Sequence, residues 1–183
     1  RYPGTVLYPV LFEGEYWAPV NVGATTREGY FDVADMGLTY QWGRTNYGSA
    51  YGVTDDLEMG PVTAAIGNGN GKNKFITNSF SPQDWAYPAV NNLWTTSTLP
   101  CPSGWRIPLL ADLNRIKTAF DNGKIEWEAP YLKVKGTNAD ENENEVLYFP
   151  AAGYRVYNGD WIGRGKTGAY WSGNSEATSS WLV

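Results

Sequence analysis

Apolar and polar positions alternate only over short stretches of this chain, and Gly, Pro, Asn and Asp interrupt the pattern every few residues. That predicts short strands and ordered loops rather than long helices. Val6 to Phe12 and Tyr16 to Val22 read as two β-like runs parted by Glu13-Gly14-Glu15, an opening hairpin, and Gly37 to Trp42 as a further short strand. From Arg44 to Pro100 the periodicity dissolves, with Gly67-Asn68-Gly69-Asn70-Gly71 its most flexible point. A stretch of about fifty residues is far beyond ordinary loop lengths. It therefore either hides elements or is a functional excursion, and Phe80, Trp85, Tyr87 and Trp94 are expected to pin it to the body.

One helix is clear, from Pro108 to Phe120. Proline suits a first turn, and Leu110, Leu113, Ile116 and Phe120 recur at helical spacing as an apolar stripe. Asn122-Gly123 ends it. A hairpin is predicted next, from Tyr131 to Lys135 and from Val146 to Pro150 around a polar tip at Gly136 to Glu145. Gly153 to Val183 returns to aromatic, glycine and polar residues in alternation, again strands and loops. No internal repeat and no linker is visible, so the chain is read as a single α+β domain over residues 1–183.

Composition narrows the function classes. The 183 residues suffice for one core, and with 42% hydrophobic and 18% charged residues the chain is not disordered. No apolar run approaches the roughly 18 residues of a membrane span. The net charge of −5 argues against nucleic acid, because the 14 Lys and Arg gather into no basic face. The chain holds 9 Trp, 13 Tyr and 6 Phe, 21 Gly and no His. Without histidine the commonest general base, the Ser-His-Asp and Cys-His nucleophile systems and most zinc, copper and haem ligand sets are gone. Cys101 is the single cysteine and has no partner for an internal disulfide. The chain opens at Arg1 without a charged-then-apolar leader, so any signal peptide is expected to have been removed or to lie outside this sequence.

Three sets of segments rise above this background. They are Trp17-Ala18-Pro19-Val20-Asn21-Val22-Gly23 with Tyr40-Gln41-Trp42-Gly43-Arg44; Cys101-Pro102-Ser103-Gly104-Trp105-Arg106-Ile107-Pro108; and Phe149-Pro150-Ala151-Ala152-Gly153-Tyr154-Arg155 with Gly168-Ala169-Tyr170-Trp171-Ser172. In that order they resemble the Fibrobacter succinogenes major paralogous domain family of secreted and surface proteins of Bacteroidota. The resemblance covers nearly the whole chain. It implies a C-type-lectin-like fold related to the formylglycine-generating-enzyme group, with short twisted antiparallel sheets, one clear helix and long ordered loops. It also implies a place on surface lipoproteins or pilus-tip adhesins, with some relatives being variable proteins of diversity-generating retroelements. Two departures stand out. The family's closing strand, of Ser-Val-Arg-Cys-Val type, has no counterpart before Val183, so that strand and a partner for Cys101 are expected to be missing here. Leu109 also replaces the threonine that would cap the helix, so another group must satisfy those amides.

Candidate chemistry concentrates late in the chain. Trp17, Trp42, Trp105 and Trp171 sit in apolar segments and are expected in the core. In Tyr157 to Lys166, by contrast, aromatics alternate with Gly, Asn, Asp, Arg and Lys, a composition suited to a recognition surface of rigid rings and adaptable hydrogen-bonding groups. Tyr157, Asn158, Asp160, Trp161, Arg164 and Asn174 are the candidate ligand-binding residues, and the late loops of C-type lectin folds carry ligand contacts. The tetrapeptide Trp161-Ile162-Gly163-Arg164 is similar to a lectin core motif, but its late position argues for coincidence.

Asp140, Asn142 and Asn144 have the spacing that opens an EF-hand loop, yet Glu145 stands where the turn glycine belongs and Ala151 where the closing glutamate belongs. A solvated hairpin tip is the better reading. Asp55, Asp56 and Glu58 form a second acidic cluster compatible with calcium. Their use as a glycosidase pair is disfavoured, since adjacent strand residues point to opposite faces. A lone Cys101 does not supply the paired cysteines of formylglycine chemistry.

The expectation is therefore a non-catalytic, adhesin-like module of an exported bacterial surface or pilus-tip protein. It needs no cofactor and no metal, and it recognises an unknown protein or glycan surface ligand or other subunits of an assembly. The alternative is a structural cap or spacer without its own ligand. A reverse transcriptase beside the gene, with a near-copy of the segment from Arg155 to Val183, would mark the late loop as diversified.

Overall fold

In the β-like runs the paired stretches are shorter than the alternation predicts. The computed structural model describes residues 1–44, 47–69, 73–89, 94, 99–136 and 146–173, with the backbone of 180–182. Strands β1 (Val10–Phe12) and β2 (Glu15–Trp17) pair antiparallel with Val10 opposite Trp17 and Phe12 opposite Glu15, leaving Glu13-Gly14 as a two-residue turn. Both turn residues have positive φ, 50° and 83°, as a type I′ turn requires, and this is why glycine sits there. Val6 and Tyr8 stay exposed ahead of β1, and buried Pro19, which has no N–H to donate, stops β2 early.

Beyond it lie α1 (Val33–Met36), capped by Asp32, and the pair β3 (Leu38–Thr39) and β4 (Ser49–Ala50). Strand β5 (Leu57–Met59), helix α2 (Ala64–Gly67) and strand β6 (Phe75–Thr77) follow, with β5 and β6 parallel. The stretch from Arg44 to Pro100 thus does contain regular elements, each too short to show a period. Its aromatics divide. Trp85 is buried and Trp94 packs against Trp42 with ring centroids 4.7 Å apart, so these two pin the excursion. Phe80 and Tyr87, expected to do the same, are instead 73% and 71% exposed.

Helix α3 (Leu110–Asp121) is the long one, and it leads into a sheet of order β7 (Ile125–Glu128), β8 (Tyr131–Lys135) and β9 (Val146–Pro150). Of the polar tip predicted at Gly136 to Glu145, residues 137–145, which include the EF-hand-like spacing, lie outside the described residues. Two further antiparallel pairs close the chain, β10 (Tyr154–Arg155) with β11 (Trp161–Ile162) and β12 (Ala169–Trp171) with β13 (Ser180–Leu182). The chain is thus mixed α and β, with several short antiparallel sheets and few helices, compatible with the α+β class. Among the described residues no helix is long and apolar enough to cross a membrane.

The main core joins the opening hairpin, α3 and the three-stranded sheet. Val10, Phe12, Ile116, Ala119, Ile125, Leu132, Val134, Leu147 and Phe149 are all buried there, with Trp17 and Tyr170 packed against them. At about 1.5–3 kcal/mol for each large apolar side chain fully buried, this cluster outweighs the two three-residue clusters around Val20 and Ile76. Trp17, Trp42, Trp105 and Trp171 are half-buried rather than fully enclosed, and each borders a half-open cleft.

Candidate functional site

The late loop region is a hairpin built on β10 and β11. Tyr154 lies opposite Ile162 and Arg155 opposite Trp161, which leaves residues 156–160 as the connection. Val156 N–H donates to Asp160 O at 3.0 Å, and Gly159 N–H donates to Val156 O at 2.7 Å. Asn158 organises the tip: its Oδ1 accepts from Asp160 N–H at 3.1 Å and its Nδ2 donates to Asp160 Oδ2 at 2.7 Å. Gly159 follows at φ +90°, and a Cβ there would meet Leu57 Cδ2 at 2.4 Å, so the Asn-Gly pair is required by both conformation and space. The backbone of the tip is fixed from below, where Asn78 N–H donates to Tyr157 O at 2.9 Å.

The hairpin edges an open groove of about 680 Å³, walled on the other side by Thr54 and Leu57. Tyr157, Asn158, Asp160, Trp161 and Arg164 all line it, so five of the six candidate residues come together. The sixth, Asn174, lies outside the described residues. Tyr157 is 41% exposed, and Asn158, Asp160 and Arg164 are exposed. Trp161 differs. It is half-buried, donates Nε1–H to Val53 O at 2.8 Å and meets the Tyr51 ring at 5.5 Å, so part of its role is to anchor the hairpin. Arg164 lays its guanidinium over both Tyr51 and Trp161, 5.7 and 5.8 Å from the ring centroids. Burial raises the Tyr51 phenol above its ordinary range, with the Arg164 charge opposing.

Beneath the groove lies a polar hub that the sequence did not flag. Arg155 points inward with a fully buried side chain. Its Nη1 reaches Asp56 Oδ1 at 2.7 Å, Tyr47 Oη at 3.0 Å and Ser49 Oγ at 3.3 Å, while Nε donates to Gly159 O at 3.1 Å. Tyr47 in turn donates to Asp56 Oδ2 at 2.8 Å. Burial first, and the bond to Asp56 with it, pushes the Tyr47 phenol up, so it stays protonated as that donor. The guanidinium also lies 4.3 Å from the Phe75 ring centroid. The hub thus ties the hairpin turn to β4 and to the segment before β5. It also uses Asp56 internally, which breaks up the acidic cluster of Asp55, Asp56 and Glu58 considered for calcium. Among the described residues no group of three or more Cys, Asp or Glu side chains is placed to hold a metal ion.

A second buried arginine braces the neighbouring excursion. Arg44 is fully buried, donating from Nε to Gly67 O at 3.2 Å and from Nη1 to Gln41 Oε1 at 2.9 Å and Lys74 O at 2.6 Å, with its guanidinium over the Tyr47 ring. Cys101 is half-buried, and burial pushes its thiol up, away from the reactive thiolate. What the hairpin offers a ligand is therefore a fixed turn presenting a phenol, an amide, a carboxylate and a guanidinium beside ring faces. Comparison with protein-family models, curated proteins and solved structures finds no match to this chain.

Proposed function

We propose that this chain is a non-catalytic ligand-binding module with a C-type-lectin-like fold, borne by an exported bacterial surface or pilus-tip protein, and that it grips a protein or glycan through the hairpin at residues 157–164. The observation that carries this reading is the convergence of Tyr157, Asn158, Asp160, Trp161 and Arg164 on one open groove. The groove combines rigid aromatic area with hydrogen-bonding groups of both signs, the mix that recognition surfaces use. The resemblance of the three signature segments to the Fibrobacter succinogenes major paralogous domain family supports the fold and the surface location. Diversification of the late loop by a retroelement belongs to the same proposal.

A specific observation favours the rival reading of a structural cap or spacer. Asn158 and Asp160 bond to each other, and the Trp161 N–H is committed to Val53 O, so part of the hairpin's polarity serves its own shape. One experiment separates the two. The wild-type chain and the surface substitutions Tyr157→Ala and Arg164→Ala are compared on glycan arrays and against surface-displayed proteins, with circular dichroism to verify folding. The binding reading expects a saturable ligand whose affinity each substitution lowers about tenfold, roughly 1.4 kcal/mol. No saturable binding by the correctly folded wild-type chain would leave the spacer reading standing, and binding unchanged in both folded variants would overturn the hairpin as the site.

A further inference from the structure

The hairpin groove holds a guanidinium that the fold has positioned but not paired. Arg27 donates to Val146 O, and Arg44 to three protein oxygens. Arg106 and Arg115 face Asp112, and Arg155 faces Asp56. Arg164 has no oxygen partner among the described residues, yet its place is defined. Its guanidinium lies over the Tyr51 and Trp161 rings, 5.7 and 5.8 Å from their centroids, and Trp161 is itself fixed by its bond to Val53 O. Two glycines at positive φ seat the side chain. A Cβ on Gly153 would come within 3.1 Å of Arg164 Cγ, and one on Gly52 within 3.3 Å of Nη1. The residue is exposed, so its N–H donors stay available on that seat. The other polar groups of the groove are also partly uncommitted. Asp160 Oδ2 accepts from Asn158 Nδ2 at 2.7 Å, whereas Asp160 Oδ1 and the hydroxyls of Tyr157 and Thr54 have no partner among the described residues.

These groups define what complements them. A guanidinium fork matches a carboxylate through two parallel N–H bonds, which a point charge does not do. Asp160 Oδ1 and the two hydroxyls call for hydroxyl groups beside that carboxylate, and the Tyr157 ring, 41% exposed, offers an apolar face to C–H groups. A run of like negative charges is disfavoured, because Asp160 stands in the same groove and the chain carries a net charge of −5. A peptide brings its carboxylate on a flexible stem whose ordering opposes binding, whereas a sugar acid holds carboxylate and hydroxyls on one rigid ring. Resting on the reading of the hairpin as a binding site, we infer that the groove takes a saccharide with a single sugar carboxylate, of hexuronate or sialic type. Arg164 grips the carboxylate and Asp160 accepts from the ring hydroxyls.

Two matched pairs test the site and separate the two sources of the carboxylate: glucuronosyl-xylotriose against xylotriose, and 3′-sialyllactose against lactose. A blocked Ser-Glu-Ser peptide carries the same groups without the ring. In nuclear magnetic resonance titrations at low salt, at least one acidic sugar should bind saturably and at least tenfold more tightly than its neutral partner and than the peptide. Binding should shift the Arg164 Nε–H and Asp160 amide signals, and added sodium chloride should narrow the advantage, since the charge is exposed. Arg164→Gln should remove the advantage, while Arg164→Lys, which keeps the charge and loses the fork, should retain only part of it. Circular dichroism verifies that both variants fold. Equal affinity within both pairs, an advantage that persists undiminished in a folded variant, or equal binding by the peptide would overturn the inference and leave the hairpin reading intact. Absence of saturable binding by all four saccharides would overturn it as well, and the hairpin reading would then be decided by the surface-displayed proteins alone.

Discussion

Arg155 is the residue on which the candidate site rests, because its charge is held where solvent does not reach. Its side chain is fully buried and that of Asp56 is 16% exposed, so the two ends of this ion pair respond differently to deletion. Asp56→Ala strands a guanidinium with no route to water, and uncompensated buried charges of this kind cost about 3–5 kcal/mol. Because Asp56 is partly solvated, about 3 kcal/mol is expected here. Arg155→Met keeps the volume and leaves a carboxylate that can turn towards water, so a loss of about 1–2 kcal/mol is expected, in the range of an ordinary lost hydrogen bond. Urea unfolding of both variants measures the asymmetry, and equal losses would show that the pair is better hydrated than its burial indicates. Nothing local in the sequence announces this hub. Asp56, Ser49 and Tyr47 lie 99, 106 and 108 positions from Arg155, and although Arg155 closes one of the signature segments, its neighbours do not show that its side chain turns inward. The groove above it was legible because its residues are contiguous and because their composition, unlike that of a core strand, mixes rings with Gly, Asn, Asp and Arg.

Helix α3 shows how far periodicity alone carries. Its existence and extent follow from apolar residues three and four apart, yet the buried face is turned slightly from the stripe expected. Leu113 and Ile116 are inward as expected, Ala119 is buried beside them, and Phe120 is 42% exposed. Strand β7 escapes notice because its inward side chain is Ile125 alone, followed by exposed Glu126, Trp127 and Glu128, so no alternation survives. At the helix start, Leu109 offers no side-chain acceptor, and half of a capping box stands in: Asp112 Oδ2 accepts from Leu109 N–H at 2.8 Å while Arg106 holds the same oxygen. Leu109 is 41% exposed, so Leu109→Thr gives up little packing and adds the missing acceptor, and a gain of about 0.5–1 kcal/mol in chemical denaturation is expected. Burial works against the Asp112 charge, but the bonds from Arg106 and the Leu109 N–H and the charges of Arg106 and Arg115 outweigh it and hold the carboxyl below its ordinary range. In the unfolded chain it titrates at about 3.9. The contribution to stability is therefore complete above about pH 4 and is lost as the pH falls further, through the lower value of the folded state. Stability measured between pH 7 and pH 2 should fall less steeply at the acid end for Asp112→Asn than for the unaltered chain. Identical acid slopes would remove the carboxylate from that role.

At the scale of the molecule, most of the sheets have only two strands, and a pair of strands by itself is marginal in water. What connects them is a set of side-chain bonds to distant backbone. Trp171 Nε1 donates to Tyr40 O at 2.9 Å across 131 positions, Arg27 Nη1 to Val146 O at 2.6 Å across 119, and Trp161 Nε1 to Val53 O across 108. The Tyr131 hydroxyl accepts from Gly29 N–H across 102. No pattern of neighbours encodes such ties, which is why the order of elements could be read along the chain while their assembly could not. They also make a definite demand on cooperativity. If the short sheets are held by these bonds, loosening one must loosen all, whereas separate units would melt one after another. Trp171→Phe tests this at the longest tie, since it keeps a ring against Trp42 and Trp94 but leaves the Tyr40 carbonyl without its donor. A loss of about 1–2 kcal/mol is expected for a half-buried acceptor stripped of its partner. In a chain of this size each kcal/mol lowers the melting temperature by about 2–4 °C. Far-UV circular dichroism, reporting backbone, and near-UV circular dichroism, reporting the indole cluster, should shift together and stay superimposable. A near-UV transition that moves ahead of an unchanged far-UV transition would mean that the aromatic cluster merely fills space between sheets that stand without it.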